Sequence, residues 1–175
     1  MHFGNLVIIK PLDDDGNQVD IESAISEAMG PDEEHGGFWD WYQIGGRWTG
    51  VLDGYDPHKD PANVEECWLC NGTGVRTDGL SGNGCNGCGG EGTKVKWPTE
   101  WKVHQGDAIP VENLTEEHLD KFYRIVTPSG KYYEKEEYVP WGGDWGKWVN
   151  KEMPPLDWIQ KTFGGCLAVV VDNHS

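Results

Sequence analysis

Four cysteines lie in two short stretches of identical pattern, and their spacing is that of metal ligands. The first stretch, CWLCNGTG, spans residues 67–74 and the second, CNGCGGEG, spans residues 85–92. Both follow the pattern C-x-x-C-x-G-x-G. Four thiolates in two such pairs can surround one Zn²⁺ ion tetrahedrally. The predicted metal ligands are Cys67, Cys70, Cys85 and Cys88.

Glycine surrounds both cysteine pairs and argues against the helical environment that a catalytic C-x-x-C dithiol needs. Nine of the 26 residues from Cys67 to Gly92 are glycine, which disfavours a helix and supplies the positive-φ positions of a metal knuckle. Because so few apolar side chains are present, metal must hold this segment together. One structural zinc is expected, since four protein ligands leave no position for a catalytic water. A redox dithiol pair and an iron–sulfur site are the alternatives.

The cysteine pattern resembles the zinc module of the DnaJ chaperones, which contains four such repeats. The two repeats here correspond to half of that module over residues 65–94, and this implies a single zinc. The two-repeat form is similar to the DnaJ-like module of the anti-TRAP protein, which serves protein–protein contact. With DWYQIGGRWTG before the module and VVVDNHS at the end, the whole chain resembles uncharacterised actinobacteriophage proteins. The resemblance implies a phage-type zinc-binding interaction protein that docks on a host macromolecule.

A Gly-Gly-Arg sequence between aromatic residues is the second candidate site. In WYQIGGRW this turn can present backbone amides and a guanidinium to the anionic group of a nucleotide-like ligand. The alternative is a glycine bulge that lets the aromatic residues enter the core while the arginine pairs with a nearby acid. The candidate ligand-binding residues are Trp41, Tyr42, Gly45, Gly46, Arg47 and Trp48.

Several other residues carry weaker signals. VPWGGDWGKW, residues 139–148, is predicted to be a glycine-rich loop whose tryptophans either form a binding surface or fill the core. Cys166 is expected to be a buried, inert thiol outside the metal site. His174, close to Asp172, either lies at the edge of a site or forms a surface pair. No common catalytic motif is present, so the protein is not expected to be an enzyme.

The charge of the chain argues against nucleic acid as a direct partner. Its 14 Lys and Arg residues against 30 Asp and Glu residues give a net charge of −16, which repels phosphates. Residues 67–102 carry a slight excess of basic residues, four against three acids. These basic residues are Arg76, Lys94, Lys96 and Lys102. Together with the host macromolecule that the phage resemblance implies, this makes a host protein the expected partner, with a small ligand as the alternative.

Hydropathy predicts a globular protein of the cytoplasm. No stretch has the length and apolarity of a membrane span, and no signal peptide is recognised. A hydrophobic content of 37% is low, but ten Trp, six Tyr and four Phe residues provide bulky core material. No membrane partner is expected.

Apolar periodicity predicts the elements that must position these residues. HFGNLVIIK and CLAVVVDNH are continuous apolar runs, typical of strands that are buried on both faces. Helices are predicted at VDIESAISEAMG, NLTEEHLDKF and PLDWIQKTFGG, with Thr115 capping the second. A strand interrupted at Gly45–Gly46 is predicted over residues 38–52, and a hairpin over residues 122–139.

These elements assemble into an α+β body with an inserted metal module. The body is predicted to comprise residues 1–64 and 95–175, with a small mixed sheet, central terminal strands and two or three helices. A two-knuckle zinc hairpin, residues 65–94, is predicted to be inserted between the two segments of the body.

Overall fold

The computed structural model describes residues 1–30, 39, 41–76, 78, 84–142 and 145–174. It divides the chain into two compact units, which we call the body and the metal unit. The body contains residues 1–55 and 103–175, and the metal unit contains residues 56–102.

The described part of the chain contains ten strands and three α-helices. The strands are β1 (His2–Ile9), β2 (Trp41–Ile44), β3 (Val64–Glu66), β4 (Thr93–Val95), β5 (Ala108–Pro110), β6 (Arg124–Val126), β7 (Tyr132–Glu134), β8 (Glu136–Gly142), β9 (Trp145–Asn150) and β10 (Leu167–His174). The helices are α1 (Ile21–Ala28), α2 (Glu116–Lys121) and α3 (Leu156–Thr162).

The main sheet of the body is mixed, and the two terminal strands lie at its centre. Its order is β2-β10-β1-β6-β7, with β5 pairing β10 beside β2. β1 runs antiparallel to β10, so that His2 lies opposite His174, and it runs parallel to β6. The predicted α+β fold and the central position of the terminal strands are confirmed.

The apolar runs of β1 and β10 are continuous because both faces of the sheet are covered. Alternate residues of these strands point to opposite faces. One face carries Leu6, Ile8, Ala168 and Val170, which pack with Phe122 and Ile159 among others. The opposite face carries Val7, Ile9, Val169 and Val171, which pack against Ile25, Ala28 and Met29. All buried residues of these two clusters belong to the body.

Local caps and turns fix the ends of several elements of the body. Helix α1 begins after Asp20, whose carboxylate accepts a hydrogen bond from the Ser23 amide at 2.9 Å. Helix α2 is capped by Thr115 as predicted, and the His118 amide donates to its hydroxyl at 3.3 Å. The predicted hairpin is confirmed over β6 and β7, with Gly130 at a φ of 81° in its turn, whereas residues 136–139 of the predicted range pair with β9 instead.

The strand predicted over residues 38–52 is wrong in its second half. Strand β2 ends at Ile44, and residues Gly46–Trp48 form a turn of 3₁₀-helix. The chain leaves the strand because Gly45 and Gly46 both have positive φ, at 72° and 56°, which no β-strand accommodates. Residues 38 and 40 lie outside the described residues.

The loop predicted over residues 139–148 is also wrong. Residues 139–142 belong to β8 and residues 145–148 to β9, and the register of this antiparallel pair shifts between Pro140 and Gly142. Glycine led to the loop prediction, but valine, tyrosine and tryptophan favour strands. The side chain of Trp148 is 63% exposed, whereas those of residues 140–145 lie outside what the structure describes.

The metal unit extends beyond the predicted insertion of residues 65–94 at both ends. Strands β3 and β4 form its hairpin, with Val64 opposite Val95. Beyond them, the amides of Lys96 and Lys102 donate to the backbone and side-chain oxygens of the buried Asn63, at 2.8 and 3.4 Å. The unit as a whole comprises residues 56–102.

Candidate metal centre

The four predicted cysteines lie together in the metal unit, and their sulfurs are spaced as one tetrahedral metal ion requires. Sγ of Cys67 is 3.8 Å from Sγ of Cys85, and the same distance separates Cys70 and Cys88. All four Sγ atoms lie within 4.8 Å of one another. A tetrahedral Zn²⁺ with Zn–S bonds of about 2.3 Å places its sulfurs about 3.8 Å apart. A disulfide would need about 2.05 Å, so these residues fit a metal ion and not a disulfide.

The two cysteine pairs form knuckles with the same backbone hydrogen bonds. In the first knuckle, the amides of Cys70 and Gly72 donate to the carbonyl of Cys67, at 3.2 and 3.3 Å. In the second, the amides of Cys88 and Gly90 donate to the carbonyl of Cys85, at 3.3 and 3.1 Å. The repeat in the sequence is therefore a repeat in structure.

The last glycine of each knuckle packs on the backbone of the other knuckle. The amide of Cys67 donates to the carbonyl of Gly92 at 2.8 Å, and that of Cys85 donates to Gly74 at 2.7 Å. A Cβ atom at Gly74 or at Gly92 would come within 2.3 Å of a carbonyl oxygen of the opposite knuckle. Both glycines also have positive φ, 72° and 81°. These close approaches explain why the pattern ends in glycine.

The thiols differ in how readily they ionise. Burial raises the pKa of the Cys70 thiol to about 11. Burial acts in the same direction at Cys88, but amide hydrogen bonds from Gly92 and Gly90, together with hydrogen bonds from the Cys70 and Cys85 thiols, outweigh it and lower the pKa of the Cys88 thiol to about 7. The Gly92 amide lies 3.2 Å from the Cys88 sulfur. Since metal ions bind the thiolate, a divalent cation would draw the proton from Cys70 and compensate the clustered negative charge.

The metal unit has no hydrophobic core apart from these cysteines among its described residues. Its buried cluster consists of Cys67, Cys70 and Cys85, with Leu69 and Cys88 packed against it. Trp68, which lies between two of the ligands, is 72% exposed. The sulfur cluster thus takes the place of a core, and the largest apolar side chain of the first knuckle faces solvent.

The basic residues of the metal unit do not form a free positive patch. Lys94 pairs with Glu65 at 3.0 Å, and Arg76 pairs with Asp78. The Lys96 ammonium donates to a backbone carbonyl at 3.1 Å. Three of the four basic residues that the sequence singled out are therefore engaged within the unit.

The Gly-Gly-Arg turn lies in the body, and buried acceptors of the protein take up its backbone amides. The Gly45 amide donates to the Val170 carbonyl at 2.8 Å, and the Arg47 amide donates to Asp172 at 3.1 Å. These amides face the core and not a ligand. The Arg47 side chain is exposed, and none of the residues that the structure describes forms an ion pair with it. The acid partner that the bulge interpretation expected is therefore not found among those residues.

The aromatic residues around this turn have separate environments. Trp48 packs against the core on the sheet face that carries Leu6 and Ile8. It also lies over Gly4, where an added Cβ would come within 2.5 Å of the Trp48 indole nitrogen. Tyr42 packs against the core of the opposite face. Trp41 is partly exposed beside His174, with ring centroids 6.0 Å apart. The structure therefore does not bring the three rings to one surface.

Two buried carboxylates hold this turn, and neither was assigned that role from the sequence. Asp172 is 1% exposed and accepts from the His2 ring at 2.9 Å as well as from the Arg47 amide. The sequence had suggested His174 as its partner. Asp107 is fully buried and accepts from the Gly50 amide at 2.7 Å. The only sequence feature that could have indicated burial of either carboxylate is its position within or beside an apolar run.

Asp107 offers a test of how the turn is anchored. Burial raises the pKa of Asp107, while the Gly50 amide and the Thr49 hydroxyl act in the opposite direction. A raised native pKa means that the charged form costs stability above that pKa and that the cost falls as pH falls. Asp107→Asn keeps an acceptor for Gly50 without the charge.

We expect Asp107→Asn to raise Tm at pH 7.5 by ~2–4 °C, which corresponds to about 1 kcal/mol in a chain of this size. Thermal unfolding between pH 4 and 8 should show the difference shrinking towards pH 4. A lower Tm than wild type across that whole range would mean that the carboxylate charge stabilises the turn.

Cys166 lies outside the metal centre, at the head of β10. Its side chain packs against the core on the sheet face that carries Leu6 and Ile8, but it is only partly buried, whereas the sequence predicted a buried thiol. Burial raises the pKa of the Cys166 thiol, which disfavours the reactive thiolate.

Comparison with models of protein families, with curated proteins and with solved structures finds no match to the chain. Among the residues that the structure describes, no helix has the length and apolarity needed to cross a membrane.

Proposed function

We propose that the protein is a non-enzymatic interaction protein whose metal unit binds one structural zinc ion and docks on another protein. The observation that carries the proposal is the position of Trp68. This side chain is 72% exposed although it lies between two residues of a four-cysteine cluster that fits one metal ion. A bound zinc would hold the backbone on both sides of the indole.

An exposed tryptophan on a fixed backbone is suited to protein recognition. Tryptophan is enriched among the residues that dominate binding energy at protein interfaces. A metal-fixed backbone lowers the ordering cost of association, because less conformational freedom remains to be lost. Four protein ligands leave no open coordination position, which supports a structural role for the zinc and not a catalytic one.

The charges of the metal unit favour a protein over a nucleic acid. Ion pairs already occupy Lys94 and Arg76, and the net charge of the chain is −16. Phosphate binding needs uncompensated cations. The resemblance to phage proteins and to the anti-TRAP module extends the proposal to a host protein as partner, in the host cytoplasm.

A small-ligand site at the Gly-Gly-Arg turn is the second candidate. The observation in its favour is the exposed Arg47 guanidinium, which forms no ion pair with another described residue. Against it, the Gly45 and Arg47 amides are already bound to internal acceptors. An anion would therefore be held by the guanidinium without these two amides.

Trp68→Ala tests the docking proposal. We expect the variant to keep its zinc and lose a partner that the wild-type protein captures from a host lysate, because losing an interface hot spot costs about 2 kcal/mol or more. Affinity should fall by ~30-fold or more. Capture should be measured after nuclease treatment, so that a partner bound through nucleic acid is removed.

Trp148→Ala is the matched control, since Trp148 is a similarly exposed tryptophan of the body. It should retain the partner. Loss of the partner with Trp148→Ala but not with Trp68→Ala would place the contact on β8–β9 and reduce the zinc to a role in folding.

A further inference from the structure

Two histidines and a tryptophan cluster at one end of the central strands of the body. His2 on β1 lies directly opposite His174 on β10, and His174 lies opposite Trp41 on β2. The His2 and His174 ring centroids are 5.1 Å apart, and those of His2 and Trp41 are 5.3 Å apart. Cross-strand partners project from the same face of a sheet, so both imidazoles lie on one side of it.

A buried carboxylate fixes the orientation of His2. Nδ1 of His2 donates to Oδ1 of Asp172 at 2.9 Å, and the other oxygen of Asp172 accepts from the Arg47 amide at 3.1 Å. With its proton on Nδ1, the neutral ring keeps the lone pair on Nε2. The His2 side chain is 19% exposed, so solutes can reach the ring. Metal-bound imidazoles typically donate their second nitrogen to a carboxylate in this way.

The spacing of the two rings fits one metal ion. Imidazole nitrogens bind Zn²⁺ at about 2.0–2.1 Å, which puts two ring centroids on a tetrahedral ion about 5 Å apart. The His2 and His174 rings form an edge-to-face contact with their planes at 72°, and their centroid separation of 5.1 Å matches this value. Nε2 of His174 lies 3.3 Å from the amino nitrogen of Met1, a residue that is itself exposed. That nitrogen therefore lies among polar groups at the surface, and a metal ion would compete with the Met1 amine for it.

We propose that His2 and His174 form a second metal site, separate from the four cysteines, that binds a divalent transition-metal ion with Asp172 as positioning residue. Imidazole ligands suit Zn²⁺, Ni²⁺ and Cu²⁺. Water completes the coordination shell, so the ion exchanges readily where the cysteine-bound ion does not. The negative net charge of the protein, −16, raises the local concentration of cations.

Calorimetric titration of the zinc-loaded protein, free of any polyhistidine tag, with Ni²⁺ tests this site. One Ni²⁺ per chain should bind beyond the zinc of the cysteine cluster. His2→Gln and His174→Gln should each weaken Ni²⁺ binding at least tenfold. His58→Gln is the matched control, because His58 is an exposed histidine of the metal unit beside a tryptophan, and it should bind as the wild type does.

Asp172→Asn separates positioning from ligation. Loss of a carboxylate behind a ligating histidine typically costs 10–100-fold in metal affinity, so this variant should fall in that range with the site still present. The zinc that resists dialysis should be unchanged in every variant, since none of the substitutions touches the cysteines.

A spectroscopic readout on the wild-type protein covers the case in which a variant does not fold. Paramagnetic Ni²⁺ should broaden the imidazole NMR signals of His2 and His174 at concentrations that leave His58 and His118 sharp. The proposal is overturned by uniform broadening of all histidines, by the absence of Ni²⁺ binding beyond the cysteine site, or by equal affinities in the two histidine variants and the wild type.

Discussion

Replacing Cys67 and Cys85 together by serine is expected to release the metal and disorder residues 65–94 while the body keeps its cooperative unfolding transition. The two substitutions together remove one ligand from each knuckle. Structural zinc sites contribute on the order of 10 kcal/mol of binding energy, and the buried cluster of the metal unit consists of cysteines with Leu69 alone added. No apolar contact in that cluster can replace the lost metal–sulfur bonds.

The body should survive because its core is built from its own residues. Its two buried clusters draw only on residues 1–55 and 103–175. The measurements are elemental analysis after dialysis, amide hydrogen exchange and a thermal melt. Exchange protection should disappear in residues 65–94 and persist in β1 and β10.

Cys166→Ser is the control for this experiment. It removes a thiol outside the cluster and should leave one dialysis-resistant zinc per chain and the same protected amides. Two dialysis-resistant metals in the wild-type protein, or none, would contradict the single structural site. Global unfolding of the double variant would show that the body depends on the metal unit.

The metal centre could be anticipated from the sequence because its geometry is local. Two C-x-x-C pairs fix the ligand spacing within each knuckle, and the glycines after them permit only a few backbone paths. One long-range fact, the pairing of Cys67 with Cys85 and of Cys70 with Cys88 across 3.8 Å, follows once a single ion is assumed. The sequence alone could not predict the reciprocal packing of Gly74 and Gly92.

The terminal strands were predictable for a different reason. Uninterrupted apolar runs report burial on both faces, and β1 and β10 carry the two longest such runs. The two wrong element predictions both concern glycine-rich segments, because glycine occurs in turns as well as within irregular strands. At Gly45–Gly46 it ended a strand that was predicted to continue, and in β8–β9 it occurred within strands that were predicted to be a loop.

The roles of the two buried carboxylates could not be predicted from the sequence, because their hydrogen-bond partners are distant in the chain. Asp172 contacts His2 and Arg47 across 170 and 125 residues. Asp107 holds Gly50 across 57 residues. Nothing in the sequence distinguishes Asp172 or Asp107 from the other acidic residues, of which the chain has 30 in all. Only the folded sheet places them beside the Gly-Gly-Arg turn.

Gly46→Ala should destabilise the body strongly. A Cβ at this position would lie 2.5 Å from Cβ and 2.6 Å from Oδ2 of Asp172, and the residue has a φ of 56°. The methyl group would push the turn away from the carboxylate that accepts the Arg47 amide. Left-handed strain and displacement of a buried charge together cost about 2–4 kcal/mol. That cost corresponds to a fall in Tm of ~4–16 °C in a chain of this length.

Arg47→Ala, one residue further on, is the matched variant. Alanine keeps the amide that donates to Asp172, and the exposed guanidinium makes no ion pair with another described residue. Its effect on stability should therefore stay within about 0.5 kcal/mol. Tryptophan fluorescence against a panel of nucleotides gives the second readout. Binding that Arg47→Ala abolishes at unchanged Tm would establish the small-ligand site. If the wild-type protein binds no nucleotide and only Gly46→Ala lowers Tm strongly, the turn has a structural role. Asp172 then requires only the backbone amide of residue 47 and not its side chain.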